Sequence, residues 1–305
     1  MLAAGWPALP TVVRTVSRQR NVIMNRNRSH SVRALLGTSL LALALLAGCS
    51  DEPAGPGGNQ EDTDTARVMM TFNVRTMAGT APFALDSTFT SDAGIDYKVS
   101  KFIYFIHGIT LIDTAGRSVL AELVNVVDTT RVPRPYNIAL INYEQPETMT
   151  LRVLVPRGKY TGIRYSIGVP MFDASGVMLN HMDASTMEYP LNVDSDMYWG
   201  WKPGYIFLKI EGSARDKGDW KTFFYHIGDD KRLIMVSHDA PFTVAKGNAS
   251  SRTLEVNVNR LFVTPTGQHS PNIVGTMEER TTHGGATADI VAGNATNSGF
   301  ITMKP

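Results

Sequence analysis

Short runs in which apolar and polar residues alternate recur through most of this 305-residue chain. In residues 253–259, Leu254, Val256 and Val258 alternate with polar neighbours. Successive side chains of a strand point to opposite faces, so this alternation indicates a strand with one buried face. Comparable runs bounded by Gly, Pro or Asp occur at residues 68–77, 97–112, 118–127, 149–155, 160–169, 205–211, 221–227, 232–236 and 242–244. The chain is therefore expected to be all-β, an antiparallel β-sandwich.

Two places depart from this regular alternation. The run at 97–112 contains Gly108, where we expect the strand to break. Residues 172–201 are long and weakly patterned, which predicts an irregular loop region or short helices. Connections of that length are usually functional, so chemistry is expected there.

The N-terminus has the pattern of a bacterial lipoprotein signal. An arginine cluster at residues 26–33 precedes an apolar run at 34–47, which is followed by Leu46-Ala47-Gly48-Cys49. The apolar run is shorter than the ~20 residues that a membrane span needs, but it fits the core of a signal peptide. We expect residues 1–48 to be removed, and Met24 is a plausible true start.

The residues after the signal predict an anchor, a tether and a folded body. Cys49 would receive the lipid and attach the protein to the membrane. Ser50, rather than Asp, follows it, which favours the outer membrane. Residues 49–66 are rich in Gly, Pro and acidic residues, as in a flexible tether. Residues 67–305 are then expected to form one domain.

Composition excludes several classes of protein. Six of the 29 basic residues lie in residues 1–48, which contain no acid, so the rest has an excess of five acidic residues. That balance argues against nucleic-acid binding. The single cysteine, Cys49, excludes an intramolecular disulfide and a cysteine zinc site. Without a nucleophile elbow or a Gly-rich phosphate loop, no enzymatic activity is predicted.

Three histidines are candidate metal ligands, although each alone is more often structural. His226 shares a predicted strand face with Phe224, whereas the neighbouring Phe223 and Tyr225 point the other way. His107 lies within the run 97–112, and His283 precedes a Gly-Gly pair in a predicted loop. No HxH, HxxH or HExxH spacing occurs, so any metal site must be assembled across strands.

Four aromatic residues lie close together at residues 197–205, the sequence Met-Tyr-Trp-Gly-Trp-Lys-Pro-Gly-Tyr. They could close the end of the sandwich as an aromatic corner. Alternatively, Trp199, Trp201 and Tyr205 could form a platform for a sugar or line a metal site. The sequence pattern alone leaves these alternatives open.

Several segments resemble the MbnP-type copper-binding proteins, and they follow one another in the expected order. The most specific are the block Met197-Tyr198-Trp199-Gly200-Trp201 with Gly204-Tyr205, and the block Phe224-Tyr225-His226-Ile227-Gly228. The others are residues 68–75, 94–106, 158–169 and 209–212, and Thr282-His283-Gly284-Gly285 with Asn294. The resemblance covers nearly the whole body of the chain.

The resemblance implies a β-rich fold that binds one copper ion outside the cytoplasm. In such proteins imidazole ligands are joined by a kynurenine made from a tryptophan, a change attributed to a di-haem enzyme of the MauG type. His226 and His283 lie in matching blocks and are the implied ligands, and either Trp199 or Trp201 is the implied site of modification. His107 would be an extra ligand or a substitution particular to this chain.

Three functions therefore remain as hypotheses. The favoured one is a lipid-anchored protein that scavenges or buffers copper. The second is an accessory lipoprotein that binds carbohydrate or another protein through its aromatic platform, without a metal. The third is a substrate or redox partner of an enzyme, with no metal of its own.

Overall fold

The computed structural model describes residues 67–127, 130–202, 204–246, 250–262, 271–297 and 299–305. The predicted signal peptide, Cys49 and the tether lie outside these described residues. The strands are β1 Arg67–Ala78, β2 Ala81–Pro82, β3 Phe89–Thr90, β4 Asp96–Asp113, β5 Ser118–Leu120, β6 Glu122–Val127, β7 Thr130–Pro133, β8 Ile138–Asn142, β9 Thr150–Pro156, β10 Gly158–Ile167, β11 Ile206–Arg215, β12 Lys221–Gly228, β13 Ile234–Val244, β14 Ser250–Asn257, β15 Thr281–Thr282 and β16 Ile301–Lys304. The helices are α1 Met277–Arg280 and α2 Gly285–Asn297.

The strands form two sheets. The first sheet has the order β16-β14-β1-β9-β6-β7, with β2 beside β1. The second sheet has the order β13-β10-β4-β11-β12-β15, and β3, β5 and β8 also pair with β4. Most pairings are antiparallel, but β1 pairs with β14 in parallel, and so does β12 with β15. The sheets are therefore mixed.

The main core lies between the two sheets. Phe72 of β1 and Val153 of β9 contribute from the first sheet, and Phe102, Tyr104 and Phe223 contribute from the second. All five side chains are fully buried. The predicted all-β sandwich is confirmed, and the alternation of apolar residues arises because each strand presents alternate side chains to this core.

A second apolar cluster covers the opposite face of the second sheet, its outer face. Ile103 and Phe105 of β4 and Phe207 of β11 pack there against Leu179 and Met197 of the connection between β10 and β11. Among its described residues, this connection contains turns, isolated bridges and two short 3-10 helices. The predicted irregular region is thus the cover of one sheet face.

Some predicted strands have different bounds. Gly108 does not end β4, which continues from Asp96 to Asp113. Its φ of +65° instead coincides with an irregular register between β4 and β10. The single strand predicted at 118–127 is two strands, because β5 joins the second sheet and β6 joins the first. The two runs predicted at 232–236 and 242–244 form one strand, β13. Among the described residues, no helix is long and apolar enough to cross a bilayer.

Candidate functional site

His226 lies on the outer face of the second sheet. In β12, Phe223 and Tyr225 are fully buried in the main core, as the alternation predicts. His226 and Phe224 therefore point the other way. The register places His226 directly opposite Lys209 of β11. The strand thus presents an imidazole to the irregular region that covers this face.

His283 reaches the same place from a distant part of the chain. It lies between β15, which pairs with β12, and the start of α2. The centroids of the His226 and His283 rings are 4.9 Å apart, with an angle of 89° between their planes. The fold therefore brings the two histidines of the MbnP-like blocks together.

Trp199 forms the wall beside this pair. Its backbone is held in a short hairpin, since its N–H donates to Gly204 O at 3.1 Å and Ile206 N–H donates to Met197 O at 2.7 Å. The indole packs closely against Gly228 at the end of β12. A Cβ at Gly228 would lie 3.1 Å from Trp199 Nε1 and only 2.5 Å from Tyr205 O. A residue without a side chain is therefore needed there.

The two tryptophans differ in exposure and in their neighbours. Trp199 is 3% exposed, and its ring centroid lies 6.2 Å from that of His226 and 5.5 Å from that of His283. Trp201 is 67% exposed and contacts Trp199 and His283 at 5.4 and 6.4 Å. The Trp199 Nε1–H is buried and has no hydrogen-bond partner among the described residues. Such an orphaned donor is rare and calls for an explanation.

Glu211 fixes the orientation of the His226 ring. His226 Nε2 lies 2.7 Å from Glu211 Oε1. The hydrogen bond with His226 lowers the pKa of Glu211 below its usual range. An ionised carboxylate only accepts hydrogen bonds, so Nε2 carries the proton and donates. The lone pair of the neutral ring is therefore on Nδ1, which is how metal-binding histidines are commonly arranged.

His283 is disposed to be neutral. Burial lowers its pKa below the usual range, and the nearby His226 and Lys202 lower it further. A neutral imidazole has a free lone pair, whereas a protonated one cannot bind a metal. The His283 ring is therefore available as a metal donor at neutral pH.

A series of charged residues surrounds the pair. Lys202 Nζ lies about 5 Å above both indoles, at 4.9 Å from Trp199 and 5.1 Å from Trp201, and 2.6 Å from Asp229 Oδ1. Arg232, which is 4% exposed, donates to Asp229 Oδ2 and Asp289 Oδ1, each at 2.7 Å. The positive and negative charges alternate, so each buried or half-buried charge has a partner.

The structure does not bring His107 to this pair. His226 is opposite Lys209, which is opposite Ile103 of β4, and His107 is four residues further along that strand. Strand spacing and rise then separate His107 from His226 by about 16 Å. His107 instead contacts Ser166 Oγ through Nδ1 at 3.4 Å and lines a separate cavity of about 220 Å³. Burial lowers its pKa to about 4.

Tyr205 is not part of an exposed platform. It is fully buried, and its hydroxyl donates to Leu191 O at 2.5 Å. Trp199 is nearly buried as well, so Trp201 alone of the three presents a large exposed surface. The three aromatic side chains predicted as a platform thus do not form a continuous exposed face, because they belong to a hairpin that packs into the outer cluster.

Two further histidines have structural partners. His181 Nε2 lies 2.9 Å from Asp230 Oδ2, and His238 Nε2 lies 3.1 Å from the Tyr165 hydroxyl. Within the described parts of the chain there is no group of three or more His, Cys, Asp or Glu residues that could hold a metal ion. A metal here would therefore depend on the histidine pair and on donors of another kind.

Several residues of the site were not predicted from the sequence. Glu211 lies in one of the matching blocks, but its role was not assigned. Asp229 follows Gly228, a position typical of a turn, and Lys202, Arg232 and Asp289 have no local pattern. The alternation in β11 could have placed Glu211 on the same face as Lys209, the residue opposite His226, whereas nothing in the sequence indicates the other contacts.

Comparison with known proteins gives one family and one structure. The family model described as MbnP matches residues 67–278. A solved structure, MbnP from Methylosinus trichosporium, is 18% identical, and the match covers 64% of this chain and 78% of that chain with a TM-score of 0.48. No curated protein matches.

Proposed function

This chain belongs to the MbnP family, and on that premise we propose that it binds one copper ion through His226 and His283. The observation that carries the proposal is the 4.9 Å separation of the two imidazole centroids beside Trp199. Imidazole nitrogens are suitable ligands for copper. The copper is cargo, to be scavenged or buffered.

The residues present fit such an ion. Glu211 holds His226 so that Nδ1 keeps its lone pair, and the lowered pKa of His283 keeps that ring neutral. Trp199 adds a buried indole nitrogen without a hydrogen-bond partner among the described residues. That nitrogen bears a proton and cannot itself be a ligand. Conversion of the tryptophan to kynurenine would supply a further donor.

We propose Trp199, rather than Trp201, as the residue converted to kynurenine. The Trp199 ring contacts both histidine rings, with centroids 6.2 Å from His226 and 5.5 Å from His283, whereas Trp201 contacts His283 at 6.4 Å. The modification would require an oxidising partner, for which a di-haem enzyme of the MauG type is the candidate. Peptide mass spectrometry that localises kynurenine to position 199 or 201 tests this choice.

The cellular setting is part of the same proposal. The lipobox at Cys49 would anchor the protein at the membrane, and the outer membrane is the expected location. No catalytic role is proposed. The alternative, a carbohydrate- or protein-binding platform, loses its main support because Trp199 and Tyr205 are buried and Lys202 lies over the indole faces.

Titration of the purified protein with Cu(I) against a chromogenic competitor tests the proposal. We expect one equivalent to bind, and both His226→Ala and His283→Ala to weaken the affinity by at least 100-fold, because a two-imidazole site cannot lose either donor. His107→Ala and His238→Ala are matched controls, and each should bind within twofold of the parent. Equal affinity in the His226→Ala variant, or no binding by the parent, would overturn the proposal.

A further inference from the structure

One side chain contacts the backbone close to both histidines. The guanidinium of Arg232 lies 3.4 Å from Gly228 O through Nη1, and it donates to Gly285 O through Nη2 at 3.2 Å. Gly228 is two residues after His226, and Gly285 is two residues after His283. The five N–H donors of an arginine are fixed in one plane, so these bonds define the relative position of the two chain segments.

Two carboxylates orient this guanidinium. Asp229 accepts from Nη1 and Asp289 from Nε, each at 2.7 Å. Asp289 belongs to α2, the helix that begins just after His283, while Asp229 directly follows β12, the strand that carries His226. The arginine side chain is only 3% exposed, so these bonds replace those it would make to water.

Asp229 also links the hairpin that carries Trp199 to the guanidinium of Arg232. Its other oxygen accepts from Lys202 Nζ at 2.6 Å, and Lys202 lies over both indoles. The backbone of Asp229 has a φ of +76°, which a residue with a side chain rarely adopts. Strained residues of this kind persist where the surrounding contacts hold them and are concentrated at functional sites.

We infer that Arg232 is a positioning residue that sets the separation of His226 and His283, with Asp229 and Asp289 holding its guanidinium in place. The relevance of this role to copper binding rests on the proposed function. The relative position of His226 and His283 that Arg232 sets does not depend on a metal. It accounts for the contact of two rings that lie on separate segments of this chain, because the same planar group fixes the backbone two residues beyond each of them.

The test uses Arg232→Lys, which keeps the charge and loses the planar fork, and Asp289→Asn, which changes a half-exposed residue and should fold. The first readout is the nuclear Overhauser effect between the His226 and His283 ring protons in the metal-free protein. The second is the Cu(I) affinity, and the third is the thermal midpoint. Arg215→Lys is the matched control, since Arg215 pairs with Asp96 and lies over Trp220.

We expect Arg232→Lys to lose the ring-to-ring effect and at least tenfold in Cu(I) affinity while it still unfolds cooperatively. Asp289→Asn should lose part of the effect and about threefold in affinity, and it carries the test if the lysine variant does not fold. Parent-like ring contacts in a folded variant would overturn the inference. If the parent binds no Cu(I), the proposed function fails, and the ring-to-ring effect still decides the role of Arg232.

Discussion

The two faces of the second sheet are both covered, but by different means. The inner face packs Phe102, Tyr104 and Phe223 against the first sheet, where apolar contact dominates. The outer face also has apolar residues, but it includes the buried Lys209 and the histidine His226, and its cover is an irregular segment. One face is therefore stabilised mainly by packing, and the other also depends on specific polar contacts.

Chemistry in such a sandwich is therefore expected on the face with polar contacts. A core filled mainly by apolar side chains gains stability from packing but offers few lone pairs and no charges. A cover held by hydrogen bonds can keep polar groups at fixed positions, at a cost in desolvation.

Truncation on the inner face should have the largest effect on stability. Phe223→Ala removes a fully buried ring that contacts Tyr225 and Phe262 at 5.6 and 5.8 Å. We expect a loss of about 3–5 kcal/mol in the free energy of unfolding, measured by denaturant titration. Phe224→Ala, the half-exposed neighbour on the outer face, should cost under about 1 kcal/mol. Equal losses in the two variants would remove the contrast between the faces.

Acid should weaken the outer face through His107. Burial lowers its pKa from 6.5 to about 4, so between these values the unfolded state binds the proton and the folded state does not. Stability is then lost as the pH falls from 6.5 towards 4, by up to about 3 kcal/mol. In His107→Gln this part of the pH dependence should disappear from denaturation curves. The exposed His181→Gln is the control, and an unchanged slope in the His107 variant would contradict the prediction.

The smallest effect is expected at Asp196, a residue of the irregular segment that pairs with two lysines of the second sheet. Asp196 pairs with Lys101 and with the buried Lys209, and although burial opposes ionisation, the hydrogen bonds of both lysines keep its pKa below the usual value. Asp196→Asn keeps a side chain that tolerates the left-handed backbone here, but removes the charge. Since Asp196 is largely exposed, we expect a loss of about 1–2 kcal/mol at pH 7.

Denaturation at pH 7 and in acid measures this loss. The parent and Asp196→Asn should converge as the pH falls through the pKa of Asp196, because protonation then removes the same charge from the parent. Asp194→Asn, a change at a neighbouring acid that bonds Asn192, should be nearly neutral. A difference that persists in acid would mean that the charge of Asp196 is not the cause.

The inner face was largely predictable from the sequence because it depends on a local period. Leu254 and Val256 in β14 are buried between half-buried polar neighbours, and Phe223 and Tyr225 in β12 face the core as expected. The prediction extended β14 too far, since it ends at Asn257 and Val258 begins a 3-10 turn. Helix α2 was missed because its buried residues are mostly alanines, which give a weak periodic signal.

The outer face was less predictable because its contacts join distant segments. The resemblance to a family directed attention to His226 and His283, whereas no spacing rule relates residues 57 positions apart. Tyr205 was grouped with Trp199 and Trp201 because they are neighbours in sequence, yet the hairpin buries its ring and leaves that of Trp201 exposed. The bonds of Arg232 depend on tertiary structure alone, so local patterns could not indicate them.

The parallel pairing of β1 with β14 has a consequence for the order in which the chain can fold. Arg75 and Glu255, which meet across this pair, are 180 residues apart. The central strand of the first sheet therefore lacks one neighbour until the residues between them have emerged, and His283, which follows β14, can join His226 only later still.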